Sequence, residues 1–577
     1  MPAARERSFG GLNREAFQAR LPRLVESLRH YDARTFLRDL VAGVTVGLVA
    51  LPLAMAFAIS SGVSPQAGIY TAVVAGFLIS ALGGSRVQIG GPTGAFVVVV
   101  FGIIAKHGLD GLFMCTLMAG ALLVVMGVTG MGAAVKYLPR SVVIGFTNGI
   151  ALLIASTQIK DFFGLRIDRV SGVFMPRLLE IGRGLHTLSP QATALGVGAL
   201  VLLIVCQKFF RHVPGTILAL VAGTLAVHLL RLPVETIGSR FGGIPAGLPP
   251  FHVPPFRPEM IHPLLSPALT VAMLGAIESL MSATVADRMT GDRHNPNVEL
   301  VAQGLANLFS PLVGGLPATG AIARTATNIR SGAKTPIAGI VHALTLLAIL
   351  IFAAPLARDV PIAVLSGILL VVAYNMGAWD EIRDLLKLSK TDISVWLATF
   401  ALTVFADLTV AVETGMIMAA LLTIRKVAVT TSVIEETDEE VEAGRIHILQ
   451  DKEVPDYAVV YRIHGPLLFG SVDKLRSIAH GLGQLPPIVI LRLRNMTAID
   501  GTGVGALEDL ADELHASGRT LILCGAREQP ARLMTQAEFH DHIGHANICD
   551  DIEKALERAT VVYAEQASRS SAATDEA

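Results

Sequence analysis

Residues 87–101 read VQIGGPTGAFVVVVF, so that a short apolar run follows directly on a Gly-Gly-Pro-Thr-Gly segment. This pattern predicts a helix that begins inside a membrane rather than at its surface. A similar stretch, GGLPATGAIAR, occupies residues 314–324; it repeats the Gly pair, the Pro and the Thr-Gly-Ala with two extra residues. Paired short apolar segments interrupted by Gly and Pro, one in each half of a membrane protein, indicate the substrate site of a transporter.

The composition agrees with a membrane location. The chain has 577 residues, of which 52% are hydrophobic and only 16% are charged, and its mean hydropathy is +0.58. Soluble domains carry about 25% charged residues, so most of this chain is expected to lie in lipid. Arginines are concentrated in the first forty residues, whereas about half of the acidic residues follow Glu435, an asymmetry that indicates separate compartments or domains.

Apolar runs follow one another from Asp39 to about Ala428. A bilayer-spanning helix needs about 20 residues, and by that measure about fourteen spans are expected. Their approximate centres are Ala50, Val74, Val98, Leu122, Ile150, Val201, Leu220, Leu274, Leu305, Ile322, Leu346, Leu369, Ala401 and Met418.

The distribution of charges predicts the topology. Residues 1–37 are expected to form an Arg-rich cytoplasmic segment, and an even number of spans returns the chain to the same side. The Pro-rich loop 231–263 separates two repeats, 38–230 and 264–428. Each repeat has about seven spans, and an odd number means that the second repeat is inserted upside down. We therefore expect a multi-pass protein of the cell inner membrane with cytoplasmic N- and C-termini.

The composition changes after the last span. Residues 429–453 are expected to form a linker that is strongly acidic at 435–442, and residues 566–577 a disordered tail. Between them, β-branched runs alternate with amphipathic stretches over residues 454–565. This alternation predicts a small cytoplasmic α/β domain.

The two interrupted segments are each the third span of their repeat, so their N-termini are expected near the membrane midplane. A helix N-terminus presents unpaired N–H groups and a partial positive charge, and it binds anions without a formal cation. The alternative is that both segments are only Gly/Pro kinks that let helices approach closely. The residues expected to bind an anion with their amides or hydroxyls are Thr93, Gly94, Ala95, Thr319, Gly320 and Ala321.

Four further side chains are candidates for the site. Glu278 lies in an otherwise apolar span, where ionisable groups are costly and by default functional. Together with Ser282, one turn later, it is expected to bind a proton, with a structural hydrogen bond as the alternative. Arg324 is expected either to attract the anion or to pair with Glu278. Phe57 is expected either to wall the site or simply to pack.

Other classes of chemistry lack support in the sequence. The chain has neither a nucleotide-hydrolysing P-loop nor a Ser/His/Asp arrangement, which argues against an ATP-driven pump and against an enzyme. The spacing of its cysteines is not typical of a metal site or of disulfides. We expect no cofactor, no metal and no nucleic-acid partner.

Three stretches together resemble the sulfate permease (SulP) family of anion transporters: LPLAMAFAISSGVSPQAGIYTAVVAG at 51–76, GGPTGAF at 90–96 and GLPATGAIARTATNIRSGAKTP at 315–336. The resemblance implies an α-helical membrane protein with fourteen spans in a seven-plus-seven inverted repeat. It also implies a division into core and gate domains, followed by a cytoplasmic STAS domain. Homodimers and an elevator-like movement of the core against the gate are implied in the same way.

Individual positions refine this resemblance. Many family members have Gln after the first-span Pro, where this chain has Leu53, and Ser before the Arg that matches Arg324, where this chain has Ala323. Backbone amides must then provide more of the contacts to substrate. Bicarbonate carriers of the family use Asp with sodium at the position of Glu278. A Glu there is closer to the bacterial dicarboxylate-uptake branch, which implies coupling to protons.

The loop IDGTG at 499–503 resembles the Asp-x-Ser/Thr-Gly loop of STAS domains. Related soluble domains carry a phosphorylatable hydroxyl in this loop, and here Thr502 is the only hydroxyl. The alternative is that the loop, with Asp500, caps a helix. The resemblance also implies that cytosolic regulatory proteins bind the STAS domain.

The sequence therefore predicts a secondary active transporter that moves a C4-dicarboxylate, sulfate or bicarbonate together with protons. Its expected partners are a small anion, a proton, membrane lipid and a second copy of the chain. A passive anion channel, or an anion-responsive membrane protein that signals through its STAS domain, is the first alternative. A nucleobase carrier with the same inverted-repeat fold is the second.

Overall fold

The computed structural model describes residues 21–29, 31–132, 139–167, 170–209, 214–255, 257–387, 389–406, 408–435, 454–480 and 485–575. Residues 1–20 and most of the predicted linker, 436–453, lie outside this set. The chain forms two compact units, Met1–Ile417 and Met418–Ala577.

The first repeat consists of helices and one two-residue strand, with one short helix in the segment before it and one in the loop after it. In chain order the elements are α1 (Arg23–Leu28), α2 (Ala33–Ser60), α3 (Pro65–Leu82), β1 (Gly90–Gly91), α4 (Gly94–Val128), α5 (Arg140–Phe163), α6 (Phe174–Gly184), α7 (Pro190–Phe209), α8 (Gly215–Leu230) and α9 (Ile237–Phe241).

The second repeat has the same plan. Its elements are α10 (Ile261–Thr290), α11 (Pro296–Phe309), β2 (Thr319–Gly320), α12 (Ile322–Arg330), α13 (Ile337–Phe352), α14 (Ile362–Met376), α15 (Trp379–Leu385), α16 (Lys390–Phe405) and α17 (Leu408–Thr430).

Each of the fourteen expected span centres lies within one of these helices. Helix α4 contains two of them, because Gly108 bends it with φ 70° and ψ −172°. A side chain at this φ would be strained, so glycine permits the bend. Among the described residues, seven helical segments are long and apolar enough to cross a membrane, and α8 and α13 are shorter apolar helices. The chain is thus a multi-pass membrane protein.

The packing of the helices repeats between the two halves. Helix α13 of the second repeat packs on α2 and α3 of the first. In the symmetric contact, the second part of α4 of the first repeat packs on α10 and α11 of the second. Helix α5 packs on α16 and, equivalently, α14 packs on α7. The helices thus sort into a core set, α2–α4 with α10–α13, and a gate set, α5, α7 and α8 with α14, α16 and α17.

Glycine permits the closest of these approaches. A Cβ added at Gly120 of α4 would lie 2.8 Å from the carbonyl oxygen of Gly304 in α11, and one added at Gly304 would lie 2.7 Å from that of Gly120. The two backbones therefore touch at this point. Small residues at helix contacts are the usual way in which membrane helices pack without a hydrophobic driving force.

The C-terminal unit has a mixed sheet. After α17 its elements are β3 (Ser432–Glu435), β4 (Ala458–Leu467), α18 (Asp473–His480), β5 (Ile488–Arg492), β6 (Met496–Ile499), α19 (Gly501–Ala516), β7 (Thr520–Cys524), α20 (Glu528–Gln536), α21 (His540–Ile543), β8 (Ile548–Cys549) and α22 (Ile552–Asp575).

The strand order in this sheet is β3-β4-β5-β7-β8, with β6 paired to β4. Strand β3 is antiparallel to β4, and the remaining pairs are parallel. Helices α18, α19 and α20 cover one apolar face, and α22 covers the other. Parallel strands with helices on both faces form the α/β domain that the sequence predicts.

Candidate functional site

The two interrupted segments meet in a short antiparallel ladder. Gly90 pairs with Gly320, and Gly91 pairs with Thr319. Helix α4 begins three residues after β1, and α12 begins two residues after β2. The ladder therefore brings the N-terminus of each half-helix close to the other within the core set of helices.

The ladder requires residues without side chains. A Cβ added at Gly90 would lie 2.2 Å from Cδ1 of Ile79, and one added at Gly320 would lie 1.8 Å from Nε2 of Gln88. Gly91 has φ +144°, which other residues rarely adopt. The Gly pair of the sequence motif is thus explained by close backbone packing.

Helix α10 holds the second strand. The hydroxyls of Ser279 and Thr319 lie 2.6 Å apart, and Thr319 donates to the carbonyl oxygen of Gly275 at 3.0 Å. The amide of Gly320 donates to Ser279 Oγ at 3.1 Å. Two of the groups expected to bind an anion, the Thr319 hydroxyl and the Gly320 amide, therefore have protein partners that fix β2 against α10.

The start of the second half-helix also differs from the expectation. Helix α12 begins at Ile322, and the amide of Ala321 donates to the carbonyl oxygen of Ile89 at 2.8 Å. An extended strand cannot belong to the first helical turn, so strand pairing moves the helix start past Thr319–Ala321. The first-turn amides of α12 are instead those of Ile322, Ala323 and Arg324.

The first half-helix starts where the sequence predicts. Thr93 is the N-cap of α4, and its side chain makes no capping hydrogen bond. Gly94 and Ala95 are buried and form the first turn, in which amides have no partner within the helix. The Thr93 hydroxyl instead donates to Oε2 of Glu278 at 2.9 Å. This hydrogen bond places the Glu278 carboxylate at the N-terminus of α4.

Arg324 lies against the first strand of the ladder. Its side chain is 2% exposed, and Nη2 donates to the carbonyl oxygen of Pro92. Nη1 has no hydrogen-bond partner among the described residues, and a Cβ added at Gly91 would lie 2.7 Å from it. The structure shows no ion pair of Arg324 with a carboxylate within the described part of the chain. Of the two expected roles, pairing with Glu278 is therefore not realised as a direct contact.

Ser282 is hydrogen-bonded within the core. It is fully buried and donates to Oγ1 of Thr325 at 3.1 Å, and the same oxygen accepts a hydrogen bond from the amide of Ile89 at 3.0 Å. Ser282 therefore joins α10 to α12 and to the segment before β1. These contacts give Ser282 a structural role in the core.

Phe57 lies against the start of α4, a position that fits either of its expected roles, a wall of the site or packing. A Cβ added at Gly94 would lie 3.3 Å from Cε1 of Phe57, 3.0 Å from Cδ1 of Ile154 and 2.7 Å from Sδ of Met376. Ile154 and Met376 belong to α5 and α14, so gate helices cover this end of α4.

Several residues of this arrangement were not predicted from the sequence. Ser279, Thr325 and Gln88 hold the ladder, and Gln88 donates to the carbonyl oxygen of Ser279 at 3.2 Å. In the sequence, the only indication of their role is that they lie within two residues of Glu278, Arg324 and Gly90. Ile154 and Met376 have no such signal, because they are ordinary members of apolar spans.

In the C-terminal unit, Asp500 is the N-cap of α19. Its carboxylate accepts hydrogen bonds from the amides of Gly503 at 2.8 Å and Phe469 at 3.1 Å. Thr502 is exposed in the first turn of the helix. This geometry agrees with the capping alternative for the loop and leaves the Thr502 hydroxyl accessible.

Two facing half-helices in an inverted helical repeat, with a buried arginine between them, define a membrane transporter of anions. Comparison with known families supports this class. The model of the sulfate permease family matches residues 36–399, and the model of the STAS domain matches residues 450–555. The chain belongs to the sulfate permease family.

Individual relatives cover almost the whole chain. The putative sulfate transporter YvdB of Bacillus subtilis is 42% identical over 90% of this chain and 97% of its own. The bicarbonate transporter BicA of Synechocystis is 31% identical over 91% of this chain and 94% of its own. These relatives are transporters, and the prediction that the chain is not an enzyme agrees with their names.

Solved structures agree on the fold. The structure of SLC26A9 superposes with a TM-score of 0.86 at 17% identity, covering 96% of this chain and 95% of that one; at this identity it supports the fold alone. The transmembrane domain of a cyanobacterial BicA has a TM-score of 0.60 at 32% identity, covering 66% of this chain and 98% of that one. The predicted fold class, an inverted helical repeat followed by a STAS domain, is confirmed.

Proposed function

We propose that the protein is a secondary active transporter that moves a small oxyanion together with protons. The observation that carries this proposal is the pairing of Gly90–Gly91 with Thr319–Gly320, which joins the N-termini of two half-helices inside the core. Two such ends provide converging amides and partial positive charges in a region of low dielectric constant, where an anion gains most from them.

The anion would be bound mainly by backbone groups. The available donors are the first-turn amides of α4, at Gly94 and Ala95, and those of α12, at Ile322 and Ala323. Arg324 adds a buried positive charge, and its Nη1 has no partner among the described residues. A buried charge without a contacting counter-charge is unfavourable unless a ligand compensates it, so this arrangement favours binding of an anion.

Glu278 would couple the anion to a proton. Its carboxylate accepts a hydrogen bond from Thr93, directly beside the first-turn amides of α4. An ionised carboxylate at this position repels a bound anion, whereas a protonated one does not. The anion and the proton would therefore bind together, which is the requirement for symport.

The movement would be of the elevator type, with the core sliding past the gate. The start of α4 is covered by Phe57 from the core and by Ile154 and Met376 from the gate. The ladder belongs entirely to the core, so a rigid displacement of the core would carry the site away from Ile154 and Met376 and expose it.

The substrate class rests on relatives and on the resemblance described above. The names of relatives indicate sulfate and bicarbonate, and the Glu at position 278 favours a C4-dicarboxylate. We infer that sulfate is the first anion to test, because the relative at 42% identity is named for it. Placement in the inner membrane with cytoplasmic termini, homodimer formation and regulation of the STAS domain by cytosolic proteins belong to the same proposal.

A passive channel or a signalling role would not need Glu278. A nucleobase carrier commonly uses a second carboxylate near the later half-helix. The groups that contact Thr319 in the described structure are Ser279 and the carbonyl of Gly275, neither of which is a carboxylate. The contacts of Thr319 therefore favour an anion over a nucleobase.

The test is uptake of radiolabelled sulfate, bicarbonate, succinate, fumarate and uracil into proteoliposomes, with and without an inward proton gradient. We expect one of the anions to accumulate only when the gradient is present, and Glu278→Gln to lose this dependence. Glu381→Gln is the matched control, because Glu381 is an exposed carboxylate paired with Arg140 at 3.0 Å. Flux that ignores the gradient in the unmodified protein contradicts symport, and competition by uracil alone contradicts an anion substrate.

A further inference from the structure

A cavity of about 280 Å³ lies between core and gate on the side toward which α4 runs from its N-terminus. The core lines it with Val98 and Gly102 of α4, and the gate lines it with Leu153 of α5 and Val404 of α16. Val98 is one helical turn beyond Gly94, and Leu153 adjoins Ile154, which covers Gly94. The cavity therefore extends to within one turn of the proposed anion site.

Its lining favours the passage of an anion. Lys106 and His107 of α4 line it farther from the site. Basic side chains at the mouth of a low-dielectric cleft raise the local concentration of anions.

The segment Ser171–Phe174, which we term the clamp, is fastened to the gate. Arg177 is 2% exposed; it donates to the carbonyl oxygens of Ser171 at 3.0 Å and Gly172 at 2.7 Å, and to Ser156 Oγ of α5 at 2.9 Å. A buried guanidinium whose donors are used in this way fixes the clamp to α5. The clamp therefore moves with the gate.

The clamp also contacts the core. A Cβ added at Gly172 would lie 3.0 Å from Cε1 of Phe101 in α4. Phe174 is buried in a cluster with Leu153 and Val404, against which Val98 of the core packs. The ring of Phe174 meets that of Phe405 edge to face, with centroids 5.8 Å apart. A core that slides past the gate must break the contacts of Phe101 and Val98 with the clamp.

We propose that this cavity is the outer part of the anion path and that the clamp closes it. The inference rests on the proposed alternating access: when the core moves, Phe174 and Gly172 lose their contacts with α4, and the cavity joins the anion site to the outside. In the conformation described here, the clamp holds this route shut.

The test is the accessibility of a single cysteine to a membrane-impermeant maleimide in intact cells. Ile103→Cys is suitable, because Ile103 lines the cavity and is only 4% exposed in this conformation. Cys549→Ser removes the half-buried native thiol, and the other three native cysteines are buried. With the clamp intact, we expect slow labelling at position 103.

Removing the ring of Phe174 should open the cavity. We expect Phe174→Ala to speed labelling about tenfold, which corresponds to about 1.4 kcal/mol lost from the closed state. Phe405→Ala, which removes the other ring of the pair, should have the same effect and keeps the test valid if Phe174→Ala does not reach the membrane. Leu179→Ala is the matched control, because Leu179 lies on α6 and is 61% exposed; its labelling rate should not change.

Fast labelling with the clamp intact, or equal rates in all variants, would overturn the proposal. The assay needs no transport, so its outcome is separate from that of the proposed function. If protons drive anion uptake but the labelling rate is the same with and without the Phe174 ring, the proposed role of the clamp is rejected and the proposed function stands. If Phe174→Ala speeds labelling but no anion is taken up, the proposed function is rejected and the closing role of the clamp stands.

Discussion

The replacement Glu278→Gln tests the electrostatics of the site most directly. The Glu278 carboxylate lies 2.9 Å from the Thr93 hydroxyl, and an anion bound to the next two amides would lie roughly 4–6 Å from it, given ordinary hydrogen-bond lengths. Two unit negative charges at this separation repel by about 3–4 kcal/mol at an effective dielectric constant of 20. This energy corresponds to a weakening of anion binding by about 100- to 1000-fold when Glu278 is ionised.

The sign of the pH dependence follows from this repulsion. Protonation of Glu278 removes the negative charge, so the affinity of the unmodified protein for its anion should rise as the pH falls. Glutamine has the size and neutrality of the protonated acid. Glu278→Gln should therefore bind the anion tightly at every pH, while its uptake is no longer driven by a proton gradient.

Equilibrium binding of the labelled anion to purified protein in lipid nanodiscs, measured from mildly acidic to mildly alkaline pH, checks this prediction. Glu381→Gln should retain the pH dependence of the unmodified protein. The reasoning is refuted if Glu278→Gln still binds more tightly at acidic pH, or if the unmodified protein binds with equal affinity throughout.

Two other predictions concern stability and geometry. Gly90→Ala should abolish anion binding, because the new Cβ would lie 2.9 Å from Cβ of Ile79, which no side-chain rotation can move, and would displace β1; the same binding assay measures it, and normal affinity would contradict the role of the ladder. Asp500→Ala should lower the stability of the STAS domain by about 0.5–2 kcal/mol, because the N-cap bond to Gly503 is lost. Thr502→Ala is its exposed control, and thermal unfolding of the full chain that is equal in both variants would contradict the capping role.

The contacts of α10 explain why small changes in this region are expected to matter. Ser279 binds both Thr319 and Gly320, and Ser282 binds Thr325 on the neighbouring helix. Glu278 is adjacent to Ser279 in the sequence, so the group proposed to bind the proton lies on the helix that holds the second strand. Binding of a proton and binding of an anion at this site would then both act on helix α10.

The sequence alone determined where the apolar helices lie along the chain and the existence of the paired segments. Long apolar runs can only be spans, since lipid leaves no other place for them, and each predicted centre lies in a helix. The motifs around Gly90 and Gly320 predicted two interrupted helices, and the position of Glu278 in an apolar run marked it as unusual. These features depend on composition and local spacing, which a sequence displays directly.

Tertiary structure decided which groups at the site remain free. The pairing of Gly90 with Gly320 joins residues 230 positions apart, and no local pattern specifies that Thr319 is bound by Ser279 or that α12 begins only at Ile322. The contacts of Gly94 with Ile154 and Met376 cannot be predicted from the sequence either. An apolar residue in a span gives the same sequence pattern whether it faces lipid, a neighbouring helix or a substrate. Hydrogen-bond partners across repeats depend on how rigid helices pack in three dimensions, and that packing exists only in the folded chain.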